Sequence, residues 1–148
     1  MIAASGPLGT AVDSNWHQNE RLNITLFMAI PLLICDDSNM ARKQVTRSLP
    51  DGWDVDITYA TNGVEGVQAI KDGKGEMVFL DLTMPEMDGY EVLENIKAQN
   101  YKAVVIVISG DIQPDARERV LKLGALEFIK KPINKQSLEE VLHRYGLI

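Results

Sequence analysis

Acidic, hydroxyl and lysine side chains stand where four short apolar runs of this sequence end. They are Asp36 and Asp37 after the first run, Asp81 after the third, Ser109 after the fourth and Lys131 after the fifth. Carboxylates that gather in one place repel one another unless a cation neutralises them. Mg2+ suits such a place because it takes few carboxylates and completes its shell with waters and phosphate oxygens. The pattern therefore indicates a Mg2+ site that can hold a phosphoryl group.

Asp81 is the member of this set best suited to act as a nucleophile. It stands alone after an apolar run, whereas Asp36 and Asp37 share a turn and suit metal binding. With a cation on one side and the Lys131 ammonium on the other, a carboxylate can attack a phosphoryl group without a dedicated general base. We therefore expect Asp81 to attack, while Lys131 and the Ser109 hydroxyl favour the charge that develops on the transferred group.

Five short runs of apolar or β-branched residues predict the strands that must position these side chains. The predicted strands cover residues 32–35, 54–59, 77–80, 103–108 and 127–130. Segments with helical spacing of apolar residues alternate with them, which is typical of βαβ units around a parallel sheet. Three strands are nearly all apolar, as expected when helices cover both faces. The sequence thus predicts an α/β fold with a doubly wound five-stranded parallel sheet, whose ligands lie at the carboxyl ends of the strands.

Polar residues and glycines mark the predicted helix ends. Ser38, Asp88 and Asn134 are expected N-caps of the first, third and fifth helices. Gly73 and Gly124 suit helix exits, where a left-handed conformation is common. These residues place the beginnings of three helices directly after or near the strand ends that carry the candidate site.

Composition favours a globular domain and argues against several classes of partner. The chain has 148 residues, 45% of them hydrophobic and 24% charged, with a net charge of -6. A negative charge of this size disfavours direct nucleic-acid binding and an anionic membrane surface, and no apolar run approaches the roughly 20 residues of a membrane helix. The single cysteine, Cys35, lies in an apolar run, so a core position and the reducing cytoplasm are expected.

The first 27 residues differ from the rest. They mix glycine, proline, asparagine and charge without period, and they lack the apolar stretch and basic start of a secretory signal. We expect residues 1–27 to be a disordered leader, foreign sequence or an over-extended start. The domain is then expected to cover residues 28–148.

Four blocks in this order resemble response-regulator receiver domains of two-component signalling. They are Asp36-Asp37-Ser38, the run FLDLTMPEMDG at 79–89, Ser109-Gly110, and the run GALEFIKKP at 124–132. The resemblance covers about residues 30 to 146. It implies a flavodoxin-like (β/α)5 fold with strand order 2-1-3-4-5, and a role in phosphorelay signal transduction.

The resemblance also implies a role for each residue of the site. Asp81 matches the aspartate that a histidine kinase or phosphotransfer protein phosphorylates. Asp37 matches the direct Mg2+ ligand, Asp36 the acidic residue acting through metal-bound water, and the backbone carbonyl of Thr83 a further protein ligand. Lys131 matches the lysine that contacts the phosphate.

A second group of residues matches the family's switch. Ser109 resembles the hydroxyl that moves to the phosphoryl group, and Phe128 the aromatic residue that then turns inward. Here a phenylalanine replaces tyrosine, so the ring has no hydroxyl. Pro132 is similar to the family's cis proline after the lysine. Asp111, two positions after Ser109, is implied to flank the path of a hydrolytic water.

Alternatives remain open. Asp36 and Asp37 could form a helix-capping turn with Ser38, and Ser109 could satisfy backbone amides after its strand. A Mg2+-dependent phosphohydrolase with an aspartyl intermediate uses similar residues, but Thr83 stands where such enzymes usually carry a general acid. We therefore expect a phosphoacceptor rather than an enzyme, acting on a downstream target protein or on an output domain of a longer regulator.

Overall fold

A computed structural model of the chain describes residues 29–111 and 113–148. Five strands and five helices alternate along it. The strands are β1 (Ile30–Cys35), β2 (Val55–Ala60), β3 (Met77–Leu80), β4 (Val104–Ser109) and β5 (Glu127–Lys130). The helices are α1 (Asn39–Arg47), α2 (Gly63–Lys71), α3 (Gly89–Gln99), α4 (Ala116–Lys122) and α5 (Lys135–Arg144). The leader expected at residues 1–27 lies outside the described residues.

The strands form one parallel sheet in the order β2-β1-β3-β4-β5. Side chains alternate between its faces, and each face carries its own apolar core. One core joins the sheet to α2, α3 and α4, and the other joins it to α1 and α5. β3 is buried along its whole length, as expected for a central strand covered by helices on both sides. The predicted doubly wound fold and strand order are confirmed.

The predicted strand ends differ from the structure by at most two residues. β1 begins at Ile30, two residues before the predicted start, because Ile30 already pairs with Val55 of β2. Pro31 pairs with Asp56 although it lacks an amide hydrogen, since proline is tolerated near the start of a strand. Strands β2 and β4 are shifted by one residue, while β3 and β5 have the predicted bounds.

All three predicted N-caps are confirmed. The Ser38 hydroxyl accepts a hydrogen bond from the Ala41 amide at 3.2 Å. Asp88 and Asn134 each form a capping box, with Glu91 and Ser137 respectively. The predicted glycines at the helix ends are also confirmed. Gly73 follows α2 with a φ of 81°, and Gly124 follows α4 with a φ of 105°, the positive angles expected at such positions.

No helix within residues 29–111 and 113–148 is long and apolar enough to cross a membrane. Cys35 is fully buried at the end of β1, as predicted. Burial, with smaller contributions from the Asp36 and Asp81 charges, raises the pKa of its thiol to about 12. The thiol therefore stays protonated and acts as a small apolar side chain.

Replacing Gly89 with alanine is expected to destabilise the fold by about 1–3 kcal/mol, the usual cost of overpacking. A Cβ at this position would overlap the carbonyl oxygen of Asp81 and lie 2.8 Å from the Leu82 Cα. These are backbone atoms, so the start of α3 must move away from the candidate site. Gly110→Ala is the matched control, since its Cβ meets nothing within 4 Å. Urea unfolding of both variants measures the difference, and equal midpoints would contradict the predicted clash.

Candidate functional site

The carboxyl ends of β1 and β3 bring three acidic side chains together. These strands are neighbours, with Cys35 paired to Leu80, and the Asp81 amide donates to the Cys35 carbonyl at 2.9 Å. Oxygens of Asp36, Asp37 and Asp81 all lie within 4.8 Å of one another. Asp36 and Asp81 are buried, while Asp37 is exposed. Residues far apart in the chain thus meet at one edge of the sheet, as the strand-end pattern predicts.

An open cleft surrounds this acidic group. Its walls come from the loops that follow β1, β3, β4 and β5, and its lining residues are Asp36, Asp37, Ser38, Asp81, Thr83, Gly110, Asp111, Gln113 and Lys131. The cleft lies where parallel α/β sheets place their ligands. A more apolar groove beside it, between α1 and the loop after β5, contains none of the three carboxylates. The acidic cleft is therefore the candidate site.

Lys131 supplies positive charge inside the cleft. Its Nζ lies 2.7 Å from Asp36 Oδ2 and 3.4 Å from Asp81 Oδ1. The Lys131 amide donates to the Ser109 carbonyl at 2.9 Å, which fixes the residue beside β4. The peptide bond between Lys131 and Pro132 is cis. Its neighbour Lys130 is exposed.

The charges of the cleft are imperfectly balanced. Burial and the nearby Asp36 carboxylate raise the pKa of Asp81, although Lys131 opposes this. For Lys131, burial alone acts to lower the pKa. The hydrogen bond to Asp36 and the charges of Asp81 and Asp36 outweigh it, so the pKa of Lys131 is raised. Lys131 therefore stays protonated at neutral pH. One lysine does not neutralise the three carboxylates, so the net charge of this group remains negative.

The donor set fits a hard divalent cation. Asp36, Asp37 and Asp81 offer closely spaced carboxylate oxygens, and Thr83, which also lines the cleft, offers a backbone carbonyl. Such an oxygen set with room for water suits Mg2+. A cation here would relieve the repulsion that raises the Asp81 pKa. These four residues could hold the ion, and the individual role of each stays a prediction.

Ser109 and Phe128 lie on neighbouring strands. In the register of β4 and β5, Val107 pairs with Phe128 and Ser109 pairs with Lys130. Side chains of Ser109 and Phe128 therefore lie on the same face of the sheet. Ser109 is buried, and its hydroxyl accepts from the Asp111 amide at 3.1 Å. Phe128 is half-buried and packs against the core beneath α3 and α4.

Replacing Lys131 with methionine is expected to raise Mg2+ affinity about tenfold, because a competing positive charge leaves the acidic cleft. The metal-free protein is expected to lose about 1 kcal/mol of stability, because Asp36 and Asp81 lose their shared counter-charge. Thermal unfolding across a Mg2+ titration measures both effects. Lys130→Met removes an exposed lysine next to it and serves as the control. Equal affinities in the two variants would contradict the assigned role of Lys131.

Tyr90 and Glu127 were not among the predicted site residues, yet both make polar contacts in the structure. The Tyr90 hydroxyl donates to Asp111 at 3.1 Å, although the sequence places Tyr90 only in the apolar stripe of the third helix. Glu127 of β5 is buried and contacts two arginines, a feature that sequence reasoning missed. The single signal for Glu127 is a charged residue at the start of a predicted strand.

Comparisons with known proteins show which family this chain is similar to. A family model described as the response regulator receiver domain matches residues 32–143. The chain is 36% identical over 115 residues to the chemotaxis protein CheY of Listeria monocytogenes, a match that covers 78% of this chain and 97% of that protein. It is 40% identical over 114 residues to a protein-glutamate methylesterase/protein-glutamine glutaminase of Geobacter sulfurreducens. That match covers 76% of this chain but spans 30% of the methylesterase.

A solved structure is similar as well. The chain superimposes on a CheX-CheY-BeF3-Mg2+ complex from Borrelia burgdorferi with a TM-score of 0.74 and 31% sequence identity. The match covers 84% of this chain and 94% of the solved chain.

Proposed function

The chain belongs to the response regulator receiver domain family, and from this premise we propose that it accepts a phosphoryl group on Asp81 with Mg2+ bound beside it. The observation that carries the proposal is the contact of Lys131 Nζ with Asp81 at 3.4 Å, in a cleft that also holds Asp36 and Asp37. A carboxylate between a lysine and two further carboxylates is arranged to take up an anionic group once a cation balances the charge. The BeF3 and Mg2+ named for the similar Borrelia complex support this assignment.

The proposed reaction is a direct transfer of the phosphoryl group from a phosphohistidine to Asp81. Ionised Asp81 attacks the phosphorus of a phosphohistidine on a sensor histidine kinase or phosphotransfer protein. A bond forms between the Asp81 carboxylate and phosphorus, and the bond from phosphorus to the imidazole nitrogen breaks. Lys131 stabilises the charge on the phosphoryl oxygens. Mg2+ would be held by Asp36, Asp37, Asp81 and the Thr83 carbonyl, and it would supply further charge neutralisation.

We propose that the result is a switch rather than turnover of substrates. Ser109 lies on the same sheet face as Phe128, one strand away, so a movement of the hydroxyl toward the phosphoryl group changes the space available to the ring. Phe128 packs against the core that α4 shares. The target protein or output domain then binds at the face formed by α4, β5 and α5. This assigns a cytoplasmic signalling role with a histidine kinase upstream.

The phosphohydrolase alternative is less well supported. Its general acid would stand at Thr83, which is exposed and lines the cleft but carries a hydroxyl of high pKa. A threonine cannot protonate a leaving alkoxide at neutral pH as a carboxylic acid can. The chain is therefore expected to lose its own phosphoryl group slowly instead of hydrolysing many esters.

Intact mass spectrometry with acetyl phosphate tests the proposal. We expect one phosphoryl adduct in the presence of Mg2+ and none after chelation with EDTA. Reduction of the acyl phosphate with borohydride followed by peptide mapping is expected to locate the adduct at Asp81. Proteins carrying Asp56→Asn, a substitution at an exposed residue of β2, serve as a matched control and should give the same adduct.

Two results would contradict the proposal. An adduct mapped to another residue would remove Asp81 from the reaction. Continuous release of phosphate from a panel of phosphomonoesters, without an accumulating adduct, would favour the hydrolase.

A further inference from the structure

Asp111 forms a side of the acidic cleft and is held from two directions. Its Oδ2 accepts from the Tyr90 hydroxyl at 3.1 Å, and its Oδ1 accepts from the Gln113 amide at 2.9 Å. Its own amide donates to the Ser109 hydroxyl at 3.1 Å. Asp111 thus lines the same cleft as Asp81 while both of its carboxylate oxygens are engaged.

Tyr90 is itself held firmly. It is the second residue of α3, its exposed fraction is 9%, and it belongs to the core beneath α3 and α4. The Arg119 guanidinium of α4 lies 3.8 Å from the centre of its ring, a favourable cation–π distance. Burial, followed by the hydrogen bond to Asp111, raises the pKa of Tyr90. The hydroxyl therefore remains a proton donor throughout the neutral range.

We propose that Tyr90 is a positioning residue that holds the Asp111 carboxylate and thereby slows hydrolysis of the phosphoryl group on Asp81. The inference rests on the proposed function, because it concerns the lifetime of that group. A carboxylate at the mouth of the cleft can accept a water proton. The Tyr90 hydroxyl and the Gln113 amide each donate to one oxygen of that carboxylate, and together they fix its direction.

The hydrolytic step that Tyr90 restrains transfers the phosphoryl group from Asp81 to water. The oxygen of water forms a bond to phosphorus, and the bond from phosphorus to the Asp81 oxygen breaks. A proton of the attacking water passes to the Asp111 carboxylate and then to solvent. Asp81 regains its ionised form, and inorganic phosphate leaves. With Oδ2 released from Tyr90, Asp111 can turn toward the water that performs this step.

Tyr90→Phe is the informative variant because it retains the ring, its packing and the contact with Arg119 but lacks the donor. We expect phosphoryl loss to accelerate about tenfold, the kinetic equivalent of one hydrogen bond to a charged group. Uptake from acetyl phosphate should change by less than about threefold, since attack by Asp81 makes no use of Asp111. A general packing defect would instead alter uptake as well.

A double-mutant cycle with Asp111→Asn identifies the route of the effect. The proteins are phosphorylated with acetyl phosphate and Mg2+, freed of donor, and followed by intact mass. An asparagine side chain cannot accept the proton, so Asp111→Asn should lose phosphate no faster than the parent, and adding Tyr90→Phe should change its rate by less than about twofold. An unchanged lifetime in the single variant Tyr90→Phe would overturn the inference, as would the same acceleration when Tyr90→Phe is combined with Asp111→Asn.

These outcomes separate the inference from the proposed function. A parent protein that forms an adduct with a lifetime insensitive to Tyr90→Phe contradicts the positioning role alone. A parent protein that forms no adduct with acetyl phosphate and Mg2+ contradicts the proposed function and the positioning role together.

Discussion

Asp81→Asn is expected to abolish the phosphoryl adduct and, at the same time, to stabilise the metal-free protein by about 1 kcal/mol at neutral pH, a typical gain when a strained functional group is removed. The loss of the adduct follows because an amide oxygen is a poor nucleophile and asparagine cannot form the acyl phosphate. The gain in stability follows from the surroundings of Asp81, which is 6% exposed. Its carboxylate lies within 4.8 Å of those of Asp36 and Asp37.

The sign of the stability change comes from the raised pKa of Asp81, caused by burial and by Asp36. Since the native state holds this proton more tightly than the unfolded chain, stability falls as pH rises from the ordinary value of 3.8 through the native pKa. At neutral pH the ionised carboxylate therefore costs stability that asparagine does not. Well below pH 3.8 the carboxyl is protonated in both states, and the advantage of the variant should disappear.

Thermal unfolding with and without Mg2+ measures the stability of the parent and of Asp81→Asn in both conditions. The parent is expected to gain stability from Mg2+ by mass action, and Asp81→Asn should gain less, because it lacks one of the three carboxylates. Asp56→Asn changes the net charge equally at an exposed site and is expected to behave like the parent. A metal-free Asp81→Asn protein that is less stable than the parent would show that the acidic cleft is not strained.

The gathering of the acidic residues and Lys131 could be predicted from the sequence because it depends on topology alone. Once the apolar runs are assigned as parallel strands, their carboxyl ends must meet at one edge of the sheet. With the strand order 2-1-3-4-5 that the family resemblance implies, Asp81 then lies beside Asp36 whatever the detailed loop structure. Small errors in the strand ends, such as the start of β1 at Ile30, leave this edge unchanged.

Contacts that depend on loop conformation could not be predicted in the same way. Tyr90 has the apolar spacing of the third helix, and its burial agrees with that spacing. Its hydrogen bond to Asp111 additionally requires the loop after β4 to turn back toward α3. A helical pattern specifies which side of a helix is buried, but not which polar atom a neighbouring loop presents to it.

The ion pairs of Glu127 with Arg117 and Arg144 could not be predicted from the sequence, for a related reason. Arg117 and Arg144 stand on the half-exposed sides of two helices, where arginine usually extends into solvent. Here both return to one carboxylate, which is fixed at the edge of the sheet by its place in β5. Spacing alone cannot distinguish such arginines from solvated ones, since their partner is distant in the chain.

Removing Arg117 and Arg144 together, as Arg117→Ala/Arg144→Ala, is expected to destabilise the domain by about 3 kcal/mol, because a buried carboxylate then loses both cations. The Glu127 side chain is 4% exposed, and its oxygens lie 2.7 Å from Arg117 and 3.0 Å from Arg144. The Tyr145 hydroxyl and the Phe128 amide donate to it as well. Both arginines are more than half exposed, so solvent screening keeps the effect at the lower end of the range for buried pairs.

The pH dependence of the stability gives a second test of the network around Glu127. Burial acts to raise the pKa of Glu127, but the Phe128 amide, the Tyr145 hydroxyl and the two arginines outweigh it, so the pKa is lowered. The network therefore contributes stability above the ordinary value of 4.5, and the contribution is lost as pH falls through the native pKa. The double arginine variant should show a weaker loss of stability over this acid range.

A third substitution tests whether the buried charge itself is responsible. Adding Glu127→Leu to the double arginine variant should recover most of the lost stability, because no unpaired carboxylate then remains beneath α4 and α5. The control is Lys122→Ala, which breaks an ion pair to Glu118 whose members are 74% and 72% exposed, and which is expected to cost less than about 0.5 kcal/mol. If Glu127→Leu recovers nothing, the arginines stabilise these helices through the packing of their carbon chains and not through the carboxylate.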